Sequence, residues 1–404
     1  MNCKTVTKIL SDTAYVRIGG TSAEKQCAEY LKSACEQSGL NASIEPFPIT
    51  MYDIKCAKLT VDGKEITCAG YGGAGMGTVS ASLYYLQSTD AHSLKKCKDK
   101  IVLVDKAVGY KLYDMLLENG AKGFITFNGS IYYADRDILE KEIRFEAEAL
   151  IPAVNINIDD AIDIVRRESK FAEITLEYES YIGESNNVIL DIKGETDETV
   201  VISAHYDSTP FSVGAYDNMS SCIGLLYLEE YFSQKPLRRN IRLLWCGSEE
   251  RGLLGSLEYC RLHKNELKNT VLNINLDMLG SVLGEFAAFS CANEEMKDFF
   301  EKFFKKHRFP ASVRYAIRSS DSNSFVHYGV PAVSFARYAP SGASAIHTRY
   351  DTAKTVCPKQ LLKDMKIIAK YAEYIANTPA FSFPIDISEK IKDEVSDYMK
   401  RRKL

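Results

Sequence analysis

Four runs in the C-terminal half of the chain are apolar at nearly every position before they end in polar residues. They are TVVISAHYD (199–207), NIRLLWCGSEE (240–250), TVLNINLDMLG (270–280) and VPAVSFA (330–336). Runs of this length, rich in β-branched residues and apolar on both faces, predict strands covered on both sides. Between them lie SSCIGLLYLEEYF (220–232), RGLLGSLEYCRL (251–262) and EMKDFFEKFFKKH (295–307), whose apolar residues recur every three to four positions and predict helices. Strands alternating with helices predict an α/β fold with a mostly parallel sheet sandwiched by helices. Nearer the start, residues 21–39 predict a helix with Thr21 and Glu24 at capping-box spacing and Gly39 as its stop. ASIEPFPI (42–49) predicts an edge strand, because Pro46 and Pro48 have no N–H to give a central ladder.

The texture changes from about residue 58 to 170. KLTVDG, TVSASLYYL, KIVLVDK, FITFN and IPAVNIN read as short strands around a helical piece, YKLYDMLLENGAKG, and predict a small β-rich domain inserted into the larger one. The following AEITLEYESYIGESNNVILDIKGE (172–195) reads as a linking segment. The expected division is therefore 1–57, 58–170 and 171–404, the first and last parts forming one domain.

Composition narrows the function. The 404 residues are 46% hydrophobic and 26% charged, which excludes disordered and fibrous classes. A net charge of −4, with no long basic run, argues against nucleic acid as a partner. No window approaches a membrane span, and the first twenty residues lack the apolar centre of a leader, so the expectation is a cytoplasmic protein that does not engage membranes. Eleven cysteines without a C-x-x-C fit reduced thiols.

Ligands of parallel sheets bind beyond the carboxyl ends of the strands, so the polar residues there carry the chemistry. The first predicted strand ends in His205 and Asp207 and is followed by Asp217 in a loop. The second ends in Glu249 and Glu250, the third in Asp277, and the fourth leads to His347. So many carboxylates at one rim would repel, and bound cations are the simplest remedy. Two imidazoles among oxygen ligands suit zinc better than magnesium or calcium. Asp217, in a loop between strands, is the natural bridge between two Zn²⁺ ions, and three ligand carboxylates with one bridging hydroxide would balance their charge. Of the adjacent glutamates only one should face the metals, which leaves Glu249 as general base. Asp207 lies on the same side of the strand as His205, where it can hold the second ring nitrogen.

These residues carry a resemblance. HYD (205–207), AYDN (215–218), SEERGLLGS (248–256), NLDMLG (275–280), SDSNSF (320–325), GVPAV (329–333) and HTRYDT (347–352) stand in an order similar to that of the co-catalytic dizinc aminopeptidases, the family of aminopeptidase Y and aminopeptidase S. KIVLVDK and ENGAKGFI resemble the protease-associated domain inserted in many members. The resemblance implies one metal held by His205, Asp217 and Asp277 and the other by Asp217, Glu250 and His347, with Glu249 as base and a cis peptide joining Asp217 to Asn218. It implies a zinc exopeptidase acting on peptides with a free N-terminus. Two positions depart from the pattern: Ser322 stands where a His often follows the Asp of the SD motif, and Ile346 where some relatives carry a Tyr before the last ligand. A carboxypeptidase or dipeptidase, a glutaminyl cyclase, or a non-enzymatic receptor-like scaffold on the same fold are the alternative readings. The spacing leaves the oligomeric state open.

Other signals are weaker. Gly70, Gly72 and Gly75 spell G-x-G-x-x-G, but the sequence after them alternates like a strand and predicts a glycine-rich loop. His92, His263, His307 and His327 stand outside the constellation at the strand ends and read as surface or packing residues. Arg318 reads as a substrate contact or a surface ion pair, and Asp321 as a positioning residue or a turn cap.

Overall fold

The computed structural model describes residues 1–402 except 106, 146 and 148. The chain divides into two compact units, Met1–Ile49 with Gly183–Asp397 and Thr50–Ile182 with Tyr398–Leu404. The junctions fall inside two long strands, Ala42–Val61 and Phe171–Ile192. Residues 172–195 are thus mostly strand and not a linker: Ile174 and Leu176 are buried in one unit, Val188 and Leu190 in the other, and this alternation drives the extended conformation.

In the larger unit, strands Ala332–Tyr338, Thr270–Leu276, Thr199–His205 and Asn240–Cys246 lie side by side in that order, all parallel. The margins are antiparallel. Glu285–Cys291 runs against Ala332–Tyr338, with Ser312–Tyr315 parallel beside it, and residues 188–192 run against 241–245. The hydrophobic pattern gives the parallel centre but not the two strands at 285–291 and 312–315, the second of which has only four residues. On one face Val200, Ile202 and Ala204 join a core with Leu31 of Ser22–Gln37, Leu225 of Ser220–Phe232, Phe300 of Glu294–Lys306 and Ile368 of Pro358–Asn377. On the other, Val201 and Leu244 pack with Tyr259, Cys260 and Phe325. Trp245 is fully buried, with its indole N–H donated to the Cys222 carbonyl at 3.2 Å. Removing so large a side chain costs about 3–5 kcal/mol. The helix Ser220–Phe232 is covered on nearly every side, and its Gly224 lies so close to Met365 that a methyl group there would come within 2.8 Å of the sulfur.

In the smaller unit, Gly77–Leu86, Lys100–Val104, Gly123–Asn128 and Ala153–Asn157 form a parallel ladder, with Cys68–Gly72 antiparallel to the last. Helices Tyr110–Glu118 and Ile158–Arg166 bury Tyr113, Leu116, Ala161 and Ile164 in its two apolar clusters. Asp62 and Gly63, at φ 48° and 78°, close a tight hairpin between 59–61 and 64–66. The glycine triplet opens no helix. A strand follows it, and a Cβ on Gly72 would meet the Tyr52 ring at 2.4 Å, so close packing explains the glycine. Every cysteine is a free thiol. Among the described residues no helix is long and apolar enough to cross a membrane.

Candidate metal centre

Each strand of the parallel centre releases a polar residue where its ladder stops. Thr199–His205 ends on His205 itself, and Asp277 follows directly on Thr270–Leu276. After Asn240–Cys246 the chain turns at Ser248, whose φ of 52° is left-handed, and presents Glu249 and Glu250 from the turn. His347 comes from the loop after Ala332–Tyr338 and is itself left-handed, at φ 60°. Asp217 sits in the π-type turn Ala215–Met219, and the Asp217–Asn218 peptide is cis. Asn218 fastens this turn to the neighbouring strand end, donating to the Leu276 carbonyl at 3.0 Å and accepting from the Met278 N–H at 2.9 Å.

These elements bring two triads together. His205, Asp217 and Asp277 form one and Asp217, Glu250 and His347 the other, with the ligand-type atoms of each within 4.8 Å of one another. Asp217 is shared: Oδ1 lies 3.2 Å from Nε2 of His205 and Oδ2 lies 3.2 Å from Nε2 of His347. Nε2 of His347 is 3.1 Å from Glu250 Oε1, and Nε2 of His205 is 3.8 Å from Asp277 Oδ1. His205 and Asp217 are buried, whereas the His347 side chain is 49% exposed, so the approach from solvent is on its side. Glu249 belongs to neither triad but lies among them.

The electrostatics are those of a cation site. Burial works against charge on His205, yet Glu249, Asp207, Asp217 and Asp277 outweigh it and hold the imidazole well above its ordinary pKa. His347 is likewise opposed by burial and pushed up to about 11 by Asp217 and Glu250. Burial raises Glu249 well above the usual carboxylate range; His205 pulls it back, and Glu250, Asp321 and Asp277 push it further up. Burial also raises Asp217 and Asp277, but the imidazoles beside Asp217, and Arg318 with His205 beside Asp277, bring both below the usual range. The donor set fits a borderline divalent metal: two imidazole nitrogens and three carboxylates, in two groups with one carboxylate common to both.

The surrounding residues fix these ligands. Asp207 Oδ1 stands 3.5 Å from Nδ1 of His205, the long limit of a hydrogen bond, and Nδ1 has no other partner. The main work of the Asp207 carboxylate is on the glutamate turn, where it accepts the backbone N–H groups of Glu249 at 2.9 Å and Glu250 at 3.1 Å. Three further positioning residues act through the backbone, and two of them, Arg17 and Glu24, stand in no motif that the sequence offered for the site. Buried Arg17 donates to the carbonyls of Tyr206, Val213 and Gly214, bracketing the chain on both sides of Asp207. Buried Glu24, expected only as a helix cap, accepts from the backbone N–H of Gly20 and of Ser248, directly before Glu249. Asp351 accepts from the N–H groups of Tyr216 and Asp217. Only Asp351 had a signal, standing four residues after His347 in a motif that the family resemblance covers.

Arg318 is not a surface pair. Its guanidinium lies over the Tyr338 ring, 4.5 Å from the centroid, with Nη2 3.8 Å from Asp277 Oδ2. Asp321 is fully buried and pushed up to about 6, chiefly by burial, and its carboxylate does not cap the short helix Ser322–His327. His263 does have acidic company, Glu45 at 2.7 Å and Glu266 at 3.0 Å, and it stacks on Tyr259. A sequence separation of 218 residues hides Glu45 from a linear reading.

Fold and site together define an α/β protein whose parallel strands end in two groups of residues that could hold metal ions. Residues 187–372, which contain both triads, match the model of peptidase family M28, the co-catalytic zinc exopeptidases that the motif order resembles. Aminopeptidase YwaD of Bacillus subtilis is 29% identical over 291 residues, and aminopeptidase Y of Saccharomyces cerevisiae is 28% identical over 203. These matches cover 67% and 48% of this chain but only 60% and 37% of the two relatives. The fold is that of BSAP, a zinc aminopeptidase from Bacillus subtilis, at a TM-score of 0.78 and 24% identity, covering 97% of this chain and 99% of that one. An aminopeptidase from Aneurinibacillus sp. strain AM-1 superposes at a TM-score of 0.76 and 22% identity, over 96% of this chain and 97% of that one.

Proposed function

We propose that the chain is a zinc-dependent aminopeptidase that hydrolyses the N-terminal peptide bond of peptides. The observation that carries this reading is Asp217, one carboxylate placed between two triads that each contain a histidine. His205, Asp217 and Asp277 would hold one Zn²⁺, and Asp217, Glu250 and His347 the other. When bound, such ions supply Lewis acidity to a scissile carbonyl and lower the pKa of water. The chain's own part is proton handling and placement. Glu249, held by Asp207 through its backbone N–H, accepts the proton of the attacking water and returns it to the leaving amine. Burial raises its proton affinity, the direction that an acid–base role requires. The smaller unit is read as a protease-associated domain, on its KIVLVDK and ENGAKGFI segments.

Cleavage of aminoacyl chromogenic substrates tests the reading: a chelator should abolish it and zinc should restore it. Glu249→Gln should lower kcat by roughly 10² to 10⁴-fold with the metal content unchanged. Near-normal kcat in that variant would remove Glu249 from the base role.

A further inference from the structure

Asp351 has no ligand-type contact with either triad, yet it is fully buried and spends both carboxylate oxygens on the chain that carries the shared ligand. Oδ1 accepts the N–H of Tyr216 at 2.9 Å and Oδ2 the N–H of Asp217 at 3.0 Å. Thr355 donates to Oδ1 at 3.3 Å, and the Asp351 N–H closes a turn onto the Thr348 carbonyl at 3.2 Å. Two consecutive peptide groups held by one rigid carboxylate have little freedom to rotate, so the direction of the Asp217 side chain follows from that grip. The grip comes from the same loop that delivers His347. One loop thus contributes a ligand to one triad and a clamp on the ligand common to both.

We propose that Asp351 is a positioning residue for Asp217, acting equally on the two metal sites and not only on the site that its own loop completes. The inference rests on the dimetal reading above. It separates two kinds of damage. Loss of His347 removes a ligand from one triad only. Loss of the Asp351 clamp lets Asp217 turn, and Asp217 serves both. In Asp351→Asn one acceptor becomes an N–H donor facing a backbone N–H, so at least one of the two hydrogen bonds is lost without a change of shape.

The experiment is zinc titration of the metal-free protein in competition with a chromophoric chelator, for the wild type, Asp351→Asn, Thr355→Val and His347→Ala, each checked for a cooperative melt. The wild type should take up two zinc ions. Asp351→Asn should raise both dissociation constants by roughly 10- to 100-fold and by similar factors, the range found when an outer partner of a metal ligand is lost. His347→Ala should weaken one site far more than the other. Thr355→Val should weaken both sites alike by a few-fold, and it carries the test if Asp351→Asn does not fold. A change confined to one site in the Asp351 and Thr355 variants, or no change in either, would overturn the inference while leaving the dimetal reading intact. A wild type that binds fewer than two zinc ions would overturn that reading itself.

Discussion

At the scale of single residues, neighbouring groups take different roles because their surroundings differ. Glu250 lies 3.1 Å from Nε2 of His347 and joins a triad, while Glu249 stays outside both. Asp217 has the greater leverage, since it touches both imidazoles. Asp217→Asn should therefore cost both metal ions, measured by elemental analysis after dialysis, whereas Asp277→Asn should chiefly weaken the His205 site. Away from the site, Glu229 is buried with Oε1 unpartnered, and burial pushes its carboxyl up to about 7 from an ordinary 4.5. The folded chain then holds a proton that the unfolded chain releases, so this group's contribution to stability falls as pH rises from about 4.5 to 7. Replacing it with Gln should flatten the pH dependence of the melting temperature across that window. An unchanged slope would mean that Glu229 titrates normally.

At the scale of elements, strand ends, turns and the N-terminal segment share the work. His205, Glu250 and Asp277 stood out in the sequence as candidates because each lies at or just past the end of an apolar run, whereas Asp217 and His347 lie in loops and stood out only through the motif order. What positions them was not legible. Arg17 and Glu24 act through backbone carbonyl and N–H groups, which leave no mark in a residue pattern, and reach partners 189 and 224 residues away, while Asp351 stood in a recognised motif whose backbone partners the sequence could not show. Asp207 shows the same limit. Its spacing from His205 suggested a partner for the ring, but its short hydrogen bonds go to the glutamate turn. Gly19 gives a test of this element-level dependence. A Cβ there would lie 2.2 Å from the Ser248 hydroxyl and 3.0 Å from its Cα, forcing the turn that carries Glu249 to shift. Gly19→Ala should lower kcat by about tenfold or more, since small displacements of a reacting group are costly. It should also cost about 1–3 kcal/mol of stability by overpacking, read from denaturant melts. Normal kcat with a lowered melting temperature would show that the turn tolerates the displacement.

At the scale of the whole molecule, the α/β alternation and the parallel centre were legible because strands apolar on both faces have few other places to go. The marginal strands 285–291 and 312–315 and the long strands through the unit junctions were not, since edge pairing depends on neighbours brought from elsewhere in the chain. Two histidines and a cluster of carboxylates gather at one rim of the larger unit, and on the proposed reading they tie its stability to bound zinc. Zinc at about 1,000 times its dissociation constant should add roughly 4 kcal/mol per site, and a chelator should lower the melting temperature correspondingly. The most direct test of the central claim is metal content and activity measured on one preparation, with matched aminoacyl substrates that are free or N-acetylated. The account predicts two zinc ions per chain, cleavage of the free substrate abolished by chelator and restored by zinc, and no cleavage of the acetylated one. A single metal ion per chain, or equal cleavage of the blocked substrate, would contradict it.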